Sequence, residues 1–152
     1  MKIRALISED EPLTRERIRM LLRSETDVEI IGECADGMST INFLRNNAVD
    51  LLFLDVQMPE VDGFGVIEEI GLEQMPVVVF CTAYDQYAVR AFEVNAVEYL
   101  LKPLEEGRFR KAVQRARSQV EHLRAGGISK PLLSLIEGLP REQRKHRNRL
   151  VV

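Results

Sequence analysis

The chain has 152 residues, of which 45% are hydrophobic and 30% are charged. This length and balance indicate a globular protein with one main domain, and they exclude a disordered or fibrous chain. No apolar run approaches the roughly 20 residues that a membrane helix needs. The start, MKIRALISEDE, turns acidic too early for a signal peptide. We therefore expect a cytoplasmic protein that has no membrane partner.

The net charge of −3 is unevenly distributed along the chain. Residues 1–123 carry 14 Lys and Arg against 22 Asp and Glu, whereas residues 124–152 carry 7 against 2. We predict a first domain in 1–123 and a basic linker in 124–146, where Gly and Pro interrupt the pattern. Residues 147–152 are predicted to begin a further domain whose remainder is missing from the sequence. A tail that belongs to no further domain is the alternative.

Short apolar runs rich in Val, Ile, Leu and Phe alternate with amphipathic segments, as in parallel strands that are buried on both faces. The predicted strands are 2–8, 28–34, 51–55, 77–82 and 97–101. The predicted helices are 12–23, 38–46, 64–70, 86–93 and 105–123. Five strand–helix units in series predict an α/β fold. The predicted fold is a doubly wound, flavodoxin-like (βα)5 fold whose five-stranded parallel sheet has the strand order 2-1-3-4-5.

Apolar residues at helical spacing predict which side of two helices faces the sheet. In the first helix they are Leu13, Ile18, Leu21 and Leu22. In the fifth helix they are Phe109, Ala112, Val113, Ala116, Val120 and Leu123. The cysteines, Cys34 and Cys81, lie in strand-like runs without metal-ligand spacing, so we expect small buried thiols.

Polar side chains stand at the carboxyl ends of the predicted strands, where ligands gather in a parallel sheet. Glu9 and Asp10 follow the first strand, and Asp55 ends the third. The first and third strands are neighbours in the predicted order, so these carboxylates are expected to converge on one pocket. Thr82 ends the fourth strand and Lys102 follows the fifth.

Carboxylates placed so close together repel one another, and a hard divalent cation relieves that repulsion. Mg²⁺ takes oxygen ligands and is typically held by one or two carboxylates plus a phosphate. Glu9 and Asp10 are therefore predicted to hold Mg²⁺. Lys102 supplies a second positive charge that balances Asp55.

The same arrangement makes Asp55 a candidate phosphoryl acceptor. Asp nucleophiles form acyl phosphates, and phosphoryl transfer depends mainly on positioning and on charge neutralisation. Mg²⁺ and Lys102 would draw charge from the incoming phosphoryl oxygens. The Thr82 hydroxyl would donate a hydrogen bond to one of those oxygens.

Over residues 2–123 the sequence resembles the receiver domain of two-component response regulators. The resemblance rests on SEDEP after the first strand, LDVQMPEVDG around Asp55, CTAY at the fourth strand and EYLLKP at the fifth. It implies that Asp55 is the phosphorylation site and that a sensor histidine kinase donates the phosphoryl group. It also implies a signalling domain rather than an enzyme.

The resemblance implies a set of metal ligands around Asp55. Asp10 would bind Mg²⁺ directly and Glu9 through a water molecule, and the backbone carbonyl of Gln57 would be a further ligand. Glu9 stands where many members of the family carry Asp, and the longer side chain suits a water-mediated role.

The resemblance also implies a switch. Thr82 and Tyr99 would be the switch pair, and the Lys102–Pro103 bond would be cis, which would aim the lysine into the pocket. Phosphorylation would bias a two-state element whose surface comprises the fourth helix, the fifth strand and the fifth helix. A homodimer through this surface is expected.

The segment CTAYDQYAVRAFEVNAVEYLLKP resembles the corresponding segment of receivers that are joined to a LytTR-type DNA-binding domain. The basic linker and the final RNRLVV agree with such a domain beginning near residue 147. DNA would then be bound only through the missing part.

Three other classes of protein fit the sequence less well than a receiver. A magnesium phosphatase with an Asp nucleophile usually needs a second acid two residues after it, where this sequence has Gln57. An interaction module that works without phosphorylation usually lacks the acids or the lysine, which this sequence keeps. A nucleotide- or flavin-binding module calls for a Gly-rich loop after the first strand, where SEDEP stands.

Overall fold

The computed structural model describes residues 2–84 and 98–126, which form a five-stranded sheet with helices packed on both of its faces. The strands are β1 (Ile3–Ser8), β2 (Val28–Cys34), β3 (Leu51–Leu54), β4 (Val77–Thr82) and β5 (Glu98–Leu101). All pairs are parallel and the order is β2-β1-β3-β4-β5. The predicted fold and strand order are confirmed.

Within residues 2–84 and 98–126, four helices and one short turn connect or follow these strands. They are α1 (Pro12–Leu22), α2 (Gly37–Asn46), α3 (Gly63–Ile70), a 3-10 turn at Leu72–Gln74, and the last helix, Glu106–Arg124. The predicted fourth helix (86–93), most of the predicted linker and the segment 147–152 lie outside the described residues. No helix in the described ranges is long and apolar enough to cross a membrane.

The strands β3 and β4 are apolar apart from Thr82 at the end of β4, because the sheet is covered on both sides. Every residue of β3 and of β4 is buried, so neither strand alternates between apolar and polar residues. On one face α1 and the last helix cover the sheet, and the Phe53 and Phe109 rings stack with centroids 5.4 Å apart. On the other face α2 and α3 cover it, and Phe64 packs on Phe80 at 5.1 Å.

Two leucines of the predicted apolar stripes do not face the sheet. Leu13 is 80% exposed and Leu123 is 40% exposed, whereas the other residues of both stripes are buried. Leu13 belongs to the first turn of α1, and Leu123 to the last turn of the last helix. Helical spacing identifies a face, but it does not tell where along the helix that face stops meeting the sheet.

Two arginines form ion pairs that attach the last helix to the edge of the sheet where the strands begin. Arg117 binds Asp27, which precedes β2, through Nε to Oδ2 at 2.5 Å and Nη2 to Oδ1 at 2.8 Å. Arg124 Nη2 donates to Asp50 Oδ2 at 2.8 Å and to the carbonyl of Lys2 at 2.7 Å. Since Asp50 directly precedes β3, the end of the last helix lies at the edge where the strands begin.

Candidate functional site

The sheet itself positions the residues that follow its strands. Asp55 comes directly after β3 and Lys102 directly after β5. The backbone hydrogen bonding continues one residue beyond these strands, with Asp55 N–H donating to the Ser8 carbonyl at 2.9 Å. Likewise, Lys102 N–H donates to the Thr82 carbonyl at 2.8 Å. Both side chains therefore start from fixed backbone at the carboxyl edge of the sheet.

The loop after Asp55 turns tightly into α3. Gly63 N–H donates to the Val56 carbonyl at 2.8 Å, and a Cβ on Gly63 would lie 2.6 Å from the Asp55 carbonyl oxygen. Only glycine allows this close approach of the two backbones. Asp62 caps α3 by accepting a hydrogen bond from Gly65 N–H at 2.7 Å. Gly63 and Asp62 of the motif LDVQMPEVDG thus hold the loop against Asp55.

Lys102 meets three carboxylates at this edge. Its Nζ lies 2.5 Å from Glu11 Oε1, 2.7 Å from Glu9 Oε1 and 3.3 Å from Asp55 Oδ2. Glu9 and Asp55 are buried, while the side chain of Glu11 is mostly exposed. The lysine charge therefore balances acids that the fold has removed from water.

Burial dominates the proton affinities of the two buried acids. The pKa of Glu9 is raised from 4.5 to about 8, mainly by burial and also by the adjacent Asp55, against the lowering effect of Lys102. Burial also raises the pKa of Asp55, against the opposing effects of Glu9, Lys102 and the Gln57 N–H. Burial lowers the pKa of Lys102, but its attraction to the nearby carboxylates of Glu11, Glu9 and Asp55 outweighs burial and holds that pKa above its ordinary value. At neutral pH the metal-free pocket thus keeps a proton on Glu9 and a charge on Lys102.

The structure differs from the sequence prediction at Asp10. The side chain of Asp10 is exposed, and the described acids that cluster are Glu9, Glu11 and Asp55. The backbone bends at Asp10, and Glu11 N–H donates to Glu9 Oε2 at 3.1 Å, so Glu9 and Glu11 lie together while the Asp10 side chain stays exposed. The direct metal-binding role of Asp10 stays a prediction. Glu11 was missed, because SEDEP offers three consecutive acids and does not show which of them turn inward.

The acid cluster has the chemistry of a cation site. One oxygen from each of Glu9, Glu11 and Asp55 lies within 4.8 Å of the others. Glu9 Oε1 is buried and, despite its contact with Lys102, has no aligned hydrogen-bond donor. A buried carboxylate oxygen without a hydrogen-bond donor is unfavourable unless a cation or a proton satisfies it. An all-oxygen donor set is the one that Mg²⁺ prefers.

The other predicted ligand and the proline lie beside this cluster. Gln57 N–H donates to Asp55 Oδ1 at 3.2 Å, so the backbone of Gln57 passes next to the Asp55 carboxylate. The peptide bond between Lys102 and Pro103 is cis.

Thr82 and Tyr99 are joined through the backbone of Tyr84. Thr82 is buried, and its hydroxyl accepts a hydrogen bond from Tyr84 N–H at 3.4 Å. The Tyr99 hydroxyl donates a short hydrogen bond to the carbonyl of Tyr84. The Tyr99 ring packs on Phe80 with centroids 6.0 Å apart. One short segment after β4 therefore contacts both predicted switch residues.

Known proteins are similar to this chain in sequence. Residues 5–114 match the response regulator receiver domain. The chain is 45% identical over 117 residues to the transcriptional regulatory protein BtsR of Salmonella typhi, covering 77% of this chain and 49% of that protein. It is 42% identical over 118 residues to an uncharacterized response regulatory protein of Vibrio vulnificus, covering 78% and 49%. The chain thus spans about half the length of these curated relatives.

Two solved structures have the same fold. The response regulatory domain of MrkE from Klebsiella pneumoniae aligns with a TM-score of 0.73 at 35% identity, covering 78% of this chain and 98% of that one. The receiver domain of AraT from Geobacillus stearothermophilus aligns with a TM-score of 0.72 at 32% identity, covering 82% and 99%. With the strand order and the acidic edge described above, these matches show that the chain belongs to the response regulator receiver domain family.

Proposed function

We propose that Asp55 accepts a phosphoryl group from a phosphohistidine of a sensor histidine kinase. In this proposal the domain is a signalling module rather than an enzyme that turns over a substrate. The observation that supports it is the placement of Asp55. Its carboxylate is buried at the carboxyl end of β3, 3.3 Å from the Lys102 ammonium and beside the buried acid Glu9.

The proposed transfer is a single displacement at phosphorus. A carboxylate oxygen of Asp55 forms the new P–O bond, and the P–N bond to the histidine breaks with its electron pair passing to the imidazole. Lys102 lies close enough to pair with a phosphoryl oxygen as charge builds up there. The Thr82 hydroxyl, at the end of the neighbouring β4, is a further donor for the phosphoryl group once it leaves Tyr84.

Mg²⁺ is the proposed cofactor, since the cluster offers oxygen donors only. Glu9, Asp10, Asp55 and the Gln57 carbonyl are the proposed ligands, and Asp10 must turn its exposed side chain inward to serve as one. When bound, the ion neutralises charge on the acids and on the phosphoryl oxygens.

The proposed output is control of transcription in the cytoplasm. The BtsR relatives bear the name of transcriptional regulators and are about twice as long as the matched region. We propose that residues near 147 begin a LytTR-type DNA-binding domain and that DNA is bound only there. Phosphorylation would favour a homodimer through the surface of the predicted fourth helix (86–93), β5 and the last helix.

The direct test is the intact mass of the protein after incubation with acetyl phosphate. We expect a gain of one phosphoryl group when Mg²⁺ is present and almost none with excess chelator. Asp55→Asn should gain nothing, because its amide is not a nucleophile for phosphorus. Phosphorylation of Asp55→Asn to the wild-type level would remove Asp55 from the proposal.

A further inference from the structure

Glu11 occupies a helix cap position without capping the helix. It is the residue before α1, yet its side chain accepts no hydrogen bond from the first turn. An acid at this position ordinarily accepts one from a free N–H of that turn. Here the carboxylate instead contacts Lys102, a residue 91 positions further along the chain.

The loop that carries Glu11 is folded to make this contact. Glu11 N–H donates to Glu9 Oε2 at 3.1 Å, which closes the loop around the buried acid. Arg15 secures the same loop from the first turns of α1, with Nη1 donating to the Glu9 carbonyl at 2.7 Å. Glu11 thus reaches Lys102 from backbone that is already fixed.

Glu11 makes the shortest of the three carboxylate contacts of Lys102. Its oxygen lies 2.5 Å from Nζ, against 2.7 Å for Glu9 and 3.3 Å for Asp55. An ammonium group has three N–H donors. In the resting pocket one of them therefore points to an exposed acid at the rim rather than to the acceptor.

We propose that Glu11 is a positioning residue that holds Lys102 at the rim of the pocket in the resting state and so slows phosphoryl uptake at Asp55. This inference rests on the proposed function. To pair with a phosphoryl oxygen, Lys102 has to exchange its contact with Glu11 for one nearer Asp55. Because that contact stabilises the ground state and is weakened in the transition state, it raises the barrier to transfer.

The test compares three variants of the full chain by single-turnover phosphorylation with acetyl phosphate and Mg²⁺. Glu11→Gln removes the charge that holds Lys102. Glu11→Asp keeps the charge and shortens its reach by one methylene. Glu16→Gln is the control, since Glu16 is an exposed acid of α1 and its loss changes the net charge equally.

We expect Glu11→Gln and Glu11→Asp to raise the maximal rate about two- to fivefold, the effect of losing one partly exposed ion pair. Glu16→Gln should change at most the acetyl phosphate concentration that gives half of the maximal rate. An unchanged or lower maximal rate in Glu11→Gln overturns the proposal. So does a wild-type rate in Glu11→Asp, because charge alone would then account for the effect.

A second readout needs no phosphoryl transfer. In the metal-free protein we expect the NMR signal of the Lys102 ammonium protons to be visible in wild type and broadened by solvent exchange in Glu11→Gln. An equally sharp signal in both proteins would show that Glu11 does not hold the lysine. If wild type takes up no phosphoryl group, the proposed function fails, and this signal still decides whether Glu11 holds Lys102.

Discussion

Glu9 illustrates how a single buried side chain sets the state of the whole pocket. It is 1% exposed, it lies against Lys102, and one of its oxygens has no aligned donor. Removing a carboxylate from water favours its protonated form. A metal ion bound as proposed would have to displace this proton, so metal binding there should depend on pH.

The first residue-scale prediction concerns stability without metal. The pKa of Glu9 is raised from 4.5 to about 8, so between these pH values the folded protein holds a proton that the unfolded chain has lost. Stability therefore falls as pH rises through this window. In the presence of chelator, Glu9→Gln should melt about 4 °C or more above wild type at pH 8, and close to it at pH 5. Thermal melts at the two pH values measure this.

Glu16→Gln is again the matched control, because it removes an exposed acid from the same region. It should leave the difference between the pH 5 and pH 8 melts unchanged. Equal pH dependence of Glu9→Gln and wild type would mean that Glu9 is ionised in the folded protein at neutral pH.

At the scale of elements, the last helix depends on Arg117 for its attachment to the start of β2. The guanidinium makes two hydrogen bonds to Asp27 and lies 3.4 Å from Glu25. Arg117 lowers the pKa of Asp27 below its ordinary value of 3.8. The pair therefore stabilises the fold above that pH, and the contribution is lost as pH falls through the lowered pKa.

We predict that Arg117→Met destabilises the protein by about 1 kcal/mol at pH 7, as expected for a paired but partly exposed ion pair. The difference from wild type should shrink as pH falls below the ordinary pKa of Asp27. Urea unfolding at several pH values gives both quantities. Arg108→Met serves as the control, because Arg108 is mostly exposed and lies 4.0 Å from Glu105. A loss at pH 7 no larger than that of Arg108→Met would show that the Arg117 pair contributes nothing.

Elements that are long and buried were predicted closely from the sequence. The bounds of β4 agree with the predicted run, since its nearly uninterrupted apolar residues leave few other registers, and those of β2 agree although that strand is only partly buried. The 3-10 turn at Leu72–Gln74 was not predicted, because three residues have no periodicity to read. Within the site, Asp55 and Lys102 were predicted to meet and do so, since strand order determines their distance. That Glu11 contacts Lys102 while Asp10 is exposed depends on loop dihedrals that no sequence pattern determines.

At the scale of the whole molecule, the proposed signalling needs a connection from Asp55, at the carboxyl edge of the sheet, to an outer surface. The described residues offer one through Tyr84, whose N–H bonds Thr82 and whose carbonyl accepts from Tyr99. Tyr99 is half-buried on β5, with its ring on Phe80. Movement of Thr82 toward a phosphoryl group would therefore disturb the partner of the Tyr99 hydroxyl.

We predict that Tyr99→Phe takes up phosphate at nearly the wild-type rate but dimerises more weakly when phosphorylated. The ring contact is kept and one hydrogen bond is lost, which is worth about 0.5–1.5 kcal/mol, or roughly two- to tenfold in the dimer dissociation constant. Light scattering at matched concentrations measures it. Tyr84→Phe is the control, since the bond uses the backbone carbonyl of that residue. Wild-type dimerisation of Tyr99→Phe would place the switch elsewhere.

The pairing of Arg124 with Asp50 has a consequence for distance. Asp50 and Asp55 stand at opposite ends of β3, whose four residues span about 13 Å at the usual rise of a strand. A segment that continues from the last helix therefore departs from the edge of the sheet opposite to Asp55. If Asp55 carries a phosphoryl group as proposed, such a segment is insulated from it at its point of departure, so information about phosphorylation must reach the segment through the body of the domain.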